Sequence, residues 1–186
     1  MILELDVGNS RIKWRQLSDV DGDVLNSGAV ASVAELISGE AAGSRPAMIR
    51  MCSVRAAEAV GEIRDWARGT WEMDVLEARV TRSCAGVTNH YQDLNRLGVD
   101  RWLAMIAAFN RRPGGCLIVD SGTAVTVDVV AADGEHRGGF IVPGRALMCG
   151  ALEKHTQIRL GPVPTAPGSH PGHSTDEAVQ HGVLAM

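Results

Sequence analysis

Long apolar runs are missing from this chain: nowhere do the roughly 18 consecutive apolar residues occur that a bilayer-spanning helix requires. An excess of positive charge is missing too. With 18 Lys and Arg against 22 Asp and Glu, the net charge of −4 leaves nucleic-acid binding without electrostatic support. Cys52, Cys84, Cys116 and Cys149 form no CxxC pair and share no common setting. They are expected to be buried, reduced thiols rather than metal ligands or disulfides. His170-Pro171-Gly172-His173 has ligand-like spacing but no partner cysteine or carboxylate nearby, so it is not read as a closed metal site. Met1 leads straight into a strand pattern without a basic n-region or apolar signal core, which predicts a cytoplasmic protein. Neither nucleic acid nor membrane is expected as a partner.

What the chain does contain is a pattern written twice. Cys116-Leu117-Ile118-Val119 is an apolar, β-leaning run that ends on Asp120, after which Ser121-Gly122-Thr123 turns the chain. A second β-rich run from Val125 to Val130 follows, and Asp133-Gly134 gives a hairpin signal. A strand ending on a carboxylate, a glycine and a hydroxyl suits phosphate and its cation. The carboxylate attracts the cation, glycine admits close backbone approach, and N–H and hydroxyl groups donate to phosphate oxygens. Such a strand end is also common as a mere turn. The N-terminus repeats the order 114 residues earlier: an apolar run into Asp6, then Gly8-Asn9-Ser10, a β run through Ile12 and Trp14, and Asp21-Gly22. That distance is too long for a solenoid period. It predicts two related lobes, each presenting a phosphate-binding hairpin to a shared cleft.

The remaining punctuation is consistent with this. Strands are expected over 2–6, 11–17, 24–30, 47–54 and 72–80, with helices over 31–39 and 56–68, a β-β-β-α-β-α-β order. Trp66 falls on the apolar face of the second helix and is assigned to the core. Residues 81–97 read as a long polar loop carrying Tyr91, the only tyrosine, and such loops tend to be functional. Gly98-Val99-Asp100-Arg101 opens a helix with Trp102, Met105, Ile106 and Phe109 inward. The lobe boundary is placed at the Arg-Arg-Pro-Gly-Gly break, giving 1–113 and 114–186. Another helix is expected from Arg145 to His155, then a Pro/Gly/Ser-rich loop from Gly161 to His173. Ser174-Thr175-Asp176-Glu177 reads as a capping box for a last helix. The fold class is α/β, with two actin-like, ribonuclease H-like lobes of which the second is incomplete. His90, His136, His155 and His181 are expected at the surface.

Taken in order, Asp6-x-Gly8-Asn9-Ser10, Tyr91, Gly98-Val99-Asp100-Arg101-Trp102, Asp120-x-Gly122-Thr123-Ala124-x-Thr126-x-Asp128 and Gly138-Gly139-x-Ile141-x-Pro143-Gly144 resemble the type III pantothenate kinases of the acetate and sugar kinase/Hsp70/actin superfamily. The resemblance implies ATP-dependent phosphorylation of pantothenate with Mg²⁺ and a monovalent cation, K⁺ or ammonium, in a homodimer whose site lies near the interface. It places ATP on Asp6, Gly8, Asn9, Ser10, Arg11, Lys13, Gly122 and Thr123. It places pantothenate on Tyr91, Gly98, Val99, Asp100, Arg101 and Thr175. Asp100 becomes the proton acceptor, Asp120 the monovalent-cation ligand, and Asp6 a ligand of Mg²⁺ carried with ATP. The family's later Thr-Gly-Gly adenosine-contacting segment has no counterpart in this sequence.

Each role has a plainer competitor in the residues themselves. Asp100 could simply cap its helix, Thr175 stands beside the cap Ser174, and Asp6 could be a turn residue. A nucleotide- or pantothenate-binding regulator without turnover is the alternative from a different class. A superfamily member acting on sugars or polyphosphate would share the two hairpins but leave the Gly98–Arg101 helix start unexplained.

Overall fold

Alternation along the first strand sets the architecture. In the computed structural model, β1 (Ile2–Val7) buries Leu3, Leu5 and Val7 on one face and turns Glu4 and Asp6 to the other. The structure describes residues 1–55, 57–112, 114–162, 168 and 170–185. The expected boundary residue Pro113, and 163–167 and 169 of the Pro/Gly-rich loop, lie outside the described residues. Around β1 lie β2 (Ile12–Leu17), β3 (Val24–Val30), β4 (Met48–Ser53) and β5 (Val75–Glu77), in the order β3-β2-β1-β4-β5. β1 runs antiparallel to β2 and parallel to β4. The parallel pair needs a crossover, supplied by β2, β3 and the short helix α1 (Val33–Ser38). Ser32 caps α1 by accepting the Glu35 N–H at 3.2 Å.

Helix α2 (Ala57–Trp71) packs Val60, Ile63, Trp66 and Ala67 onto the buried sheet face, so Trp66 is core as expected. Its indole meets that of Trp71 at a tilt of 59°, with 4.8 Å between centroids. α2 ends with Glu72 in the left-handed region, at φ 55°, and Met73 N–H donates back to Ala67 O at 3.4 Å. Residues 72–74 are thus used in turning the chain, and the strand expected over 72–80 shrinks to three residues.

The stretch expected to be an irregular loop holds a small hairpin, β6 (Ser83–Cys84) and β7 (Val87–Thr88), turning through Ala85 and Gly86, both at positive φ. α3 (Val99–Arg111) follows and buries Trp102 and Met105. β8 (Cys116–Ser121), β9 (Ala124–Val130) and β10 (His136–Pro143) form a three-stranded sheet in the order β10-β9-β8, and α4 (Arg145–His155) and α5 (Thr175–Ala185) complete the chain.

Two compact units result: residues 1–116 with 130–138, and residues 117–129 with 139–186. The expected division was a single cut; here the β9–β10 turn belongs with the first unit. Thr88 N–H donates to Gly134 O at 2.9 Å, and His90 pairs with Glu135, which holds the turn there. In the second unit Leu117 and Val119, the counterparts of buried Leu3 and Leu5, are 65% and 58% exposed. Among the described residues its sheet has three strands where the first has five. No helix among the described residues is long and apolar enough to cross a membrane.

Candidate active site

Asp6 sits on the open face of the first sheet because its neighbours Leu5 and Val7 point into the core. The β1–β2 register places Lys13 directly across from it, with Nζ 3.8 Å from the carboxylate. Between them Gly8 turns tightly: an added Cβ there would stand 3.2 Å from the Arg11 carbonyl. A cavity of about 1070 Å³ opens over this face, lined among others by Asp6, Arg11, Lys13, Arg15, Arg50 and Leu103. Glu4 pairs with both Arg15 and Arg50 at its edge. Three of the expected ATP residues, Asp6, Arg11 and Lys13, therefore meet around one hollow.

The parallel register sets Cys52 beside Asp6, and its thiol donates to the carboxylate at 3.5 Å. Burial, then the Asp6 charge and hydrogen bond, and then the charge of Asp100, push this thiol up to about 12. Two carboxylates from separate stretches of chain, the strand end and the α3 start, thus act on one sulfur. The cysteines are all free, but none is fully buried as expected: Cys52, Cys116 and Cys149 are half-buried, and Cys84 at the hairpin tip is exposed. A maleimide at neutral pH is expected to modify Cys84 first and Cys52 last, because the thiolate is the reacting form. Peptide mapping after brief labelling checks this, and early modification of Cys52 would contradict the environment described.

Asp100 is the second residue of α3 rather than its cap; Gly98 caps, without a side-chain bond. The carboxylate accepts the Arg101 N–H at 2.8 Å and so satisfies one of the helix's open donors. A Cβ on Gly98 would lie 2.4 Å from this carboxylate, which explains the glycine. Arg101 is buried, its guanidinium donating to the Tyr91 hydroxyl at 3.0 Å and lying 5.7 Å from the ring centroid. Asn89 Oδ1 accepts the Tyr91 N–H at 2.9 Å, and Arg82 donates to the carbonyls of Asn89 and Tyr91 at 2.7 and 3.1 Å. His136 stacks on the tyrosine ring, nearly parallel at 5.8 Å.

His136 is only 1% exposed, which corrects its expected surface position, and His181 is buried as well. The reason is non-local: flanked by Glu135 and Arg137, His136 reads as surface, but the β9–β10 turn folds it beneath Tyr91. Sequence reasoning also missed Cys52, Arg55, Arg82 and Asn89. For Cys52 the signal was available in the pairing of two β runs, once their register was known.

In the second unit Asp120 stands exposed near the end of β8, and Gly122 N–H donates to Ala124 O at 2.9 Å to close the turn. Gly144, the cap of α4, donates to Thr123 O at 2.9 Å, so the Pro143-Gly144 segment is fastened to this hairpin. Ser174, not Thr175, caps α5, accepting the Glu177 N–H at 3.1 Å. Within the second unit Thr175 lines an apolar hollow with Leu152, Ile158 and Val179. Among the described residues no three His, Cys, Asp or Glu side chains gather into a metal cage.

Two strand-end Asp-Gly hairpins in an α/β fold, one with a lysine across from its carboxylate, and a helix-start carboxylate beside a buried arginine describe a phosphotransferase of the actin-like class. The type III pantothenate kinase family model matches residues 2–186. The type III pantothenate kinase of Azotobacter vinelandii is 44% identical over 194 residues, and that of Pseudomonas fluorescens SBW25 is 43% identical over 192; each comparison spans all of this chain and 77% of the relative. The chain belongs to the type III pantothenate kinase family. It is a kinase that phosphorylates pantothenate.

Solved structures agree on the fold. A Campylobacter jejuni protein assigned to the Baf family of transcriptional activators superposes with a TM-score of 0.61 at 22% identity, covering 98% of this chain and 74% of that one. A Sinorhizobium meliloti protein assigned as a 2-dehydro-3-deoxygalactonokinase gives 0.51 at 15%, covering 90% and 64%. At such identities the likeness is one of fold, and the regulator alternative gains nothing from it.

Proposed function

We propose that this kinase transfers the γ-phosphoryl group of MgATP to the primary hydroxyl of pantothenate, with Asp100 as proton acceptor and a monovalent cation at Asp120. The observation that carries the reading is geometric. Cys52 of β4 donates to Asp6, and a Cβ on Gly98 would lie 3.9 Å from Val54 Cγ1, just past β4, and 2.4 Å from the Asp100 carboxylate. The phosphate-loop carboxylate and the candidate base thus flank the same strand end. ATP is held by Asp6, Gly8, Asn9, Ser10, Arg11 and Lys13, with Gly122 and Thr123 of the second hairpin. Phosphoryl transfer needs positioning and charge neutralisation more than covalent chemistry. Mg²⁺ commonly rests on one or two carboxylates plus phosphates and waters, and Asp6 fits that role without a protein cage. The cations supply charge neutralisation at the transferring group.

Asp100 accepts the hydroxyl proton as that proton becomes acidic late in the transfer. Arg101, fixed by Tyr91, suits the carboxylate of pantothenate through its planar fork. Gly98, Val99 and Thr175 complete the substrate contacts in this reading, which also includes a homodimer in the cytoplasm with the site near the interface.

Release of ADP, followed with pantothenate, MgATP and K⁺ each omitted in turn, tests the proposal. Turnover should require pantothenate and MgATP and be stimulated by K⁺, and Asp120→Ala should lose most of that stimulation while keeping the rate seen without K⁺. An Asp120→Ala enzyme with an unchanged K⁺ response would remove this residue from the cation site.

A further inference from the structure

We propose that Arg55 is a positioning residue for the nucleotide loop, gripping two consecutive carbonyls so that the amide groups behind them face the phosphates. It rests on the reading that the segment from Asp6 to Lys13 holds ATP. The first observation is the grip itself: Nε donates to Gly8 O at 2.6 Å and Nη2 to Asn9 O at 3.2 Å. The second is that Arg55 is itself held. Val54 N–H donates to Val7 O at 3.2 Å, extending the β1–β4 pairing past the strand end, and Arg55 N–H donates to Ser53 Oγ at 3.1 Å. The arginine therefore departs from a fixed point beside the loop and is half-buried there.

The consequence follows from peptide geometry. There is no cis peptide bond among the described residues, and in a trans peptide the C=O and the following N–H point in opposite directions. With the Gly8 and Asn9 carbonyls turned to the guanidinium, the N–H groups of Asn9 and Ser10 are turned away from it. Two successive amide donors directed the same way are the elements from which backbone anion sites are made. A planar guanidinium can hold two neighbouring carbonyls in fixed relation, whereas the compact ammonium of lysine cannot. Arg55 would thus act through the loop, without touching substrate, and its loss should weaken nucleotide binding specifically.

The test compares wild type, Arg55→Ala and Arg55→Lys by steady-state kinetics, ADP calorimetry and thermal unfolding. Arg55→Ala is expected to raise the KM for MgATP and the Kd for ADP about tenfold, in line with the loss of charge-assisted hydrogen bonds. The KM for pantothenate and the melting temperature should hardly move, and added ethylguanidinium should restore part of the lost ADP affinity. Arg55→Lys should fall between the two. Unchanged ADP affinity in Arg55→Ala would overturn the proposal. So would parallel weakening for both substrates with a lowered melting temperature, which marks a merely structural role. An Arg55→Lys enzyme equal to wild type would also overturn it, since charge alone would then suffice. Lys13→Ala serves as the control: if it too left ADP affinity unchanged, the failure would lie with the loop's nucleotide role rather than with Arg55.

Discussion

Asp100→Asn should lower kcat at least about a hundredfold, the range over which a positioned general base contributes, while ADP binding stays within about twofold of wild type. The substitution separates the two roles this carboxylate can fill. Asparagine keeps an oxygen that can accept the Arg101 N–H, now bonded to Asp100 at 2.8 Å, and it keeps the planar shape that Gly98 accommodates. The start of α3 should therefore survive, with Trp102 and Met105 still buried beneath it. What asparagine lacks is the basic oxygen proposed to take up the pantothenate hydroxyl proton. A purely structural Asp100 would show itself as near-normal turnover in the variant.

Gly144→Ala is expected to be nearly as damaging for a different reason. A Cβ at this position would lie 2.3 Å from the Gly122 carbonyl oxygen and 2.7 Å from that of Thr123. Both are backbone atoms, so no side-chain rotation relieves the clash, and the hairpin and the start of α4 must separate. Overpacking of this kind typically costs 1–3 kcal/mol, or a melting point lower by roughly 5 °C in a chain of this size. The hydrogen bond from Gly144 N–H to Thr123 O would go with it. Because Gly122 and Thr123 are proposed ATP contacts, the apparent affinity for MgATP should fall more than tenfold, at about 1.4 kcal/mol per decade. Wild-type kinetics in this variant would mean that the hairpin does not serve the nucleotide.

Both predictions concern positions visible in the sequence, and the reason is chemical. A β run that stops on Asp followed by Gly declares itself locally, so β1 and β8 and their turns could be read and their duplication noticed. The cap at Ser174 and the helix from Arg145 to His155 were legible for the same reason. The β6–β7 hairpin was not, because Ala85-Gly86 lacks the Asn-Gly or Asp-Gly signature although it adopts the same left-handed turn. His136 was misjudged because its burial comes from a partner 45 residues away, Tyr91. Arg55 looked like an ordinary charge between a strand and a helix. Only the parallel register of β1 and β4, which no local pattern encodes, shows that it faces the Gly8 and Asn9 carbonyls.

The single tyrosine has a practical consequence. Tyr91 is wedged between a buried guanidinium and a parallel imidazole, in the loop proposed to meet pantothenate. Protein grown with 3-fluorotyrosine would carry one fluorine environment in the whole chain, so its ¹⁹F spectrum needs no assignment. Its chemical shift would report on that environment as pantothenate or nucleotide is titrated in, whether or not a phosphoryl group is transferred.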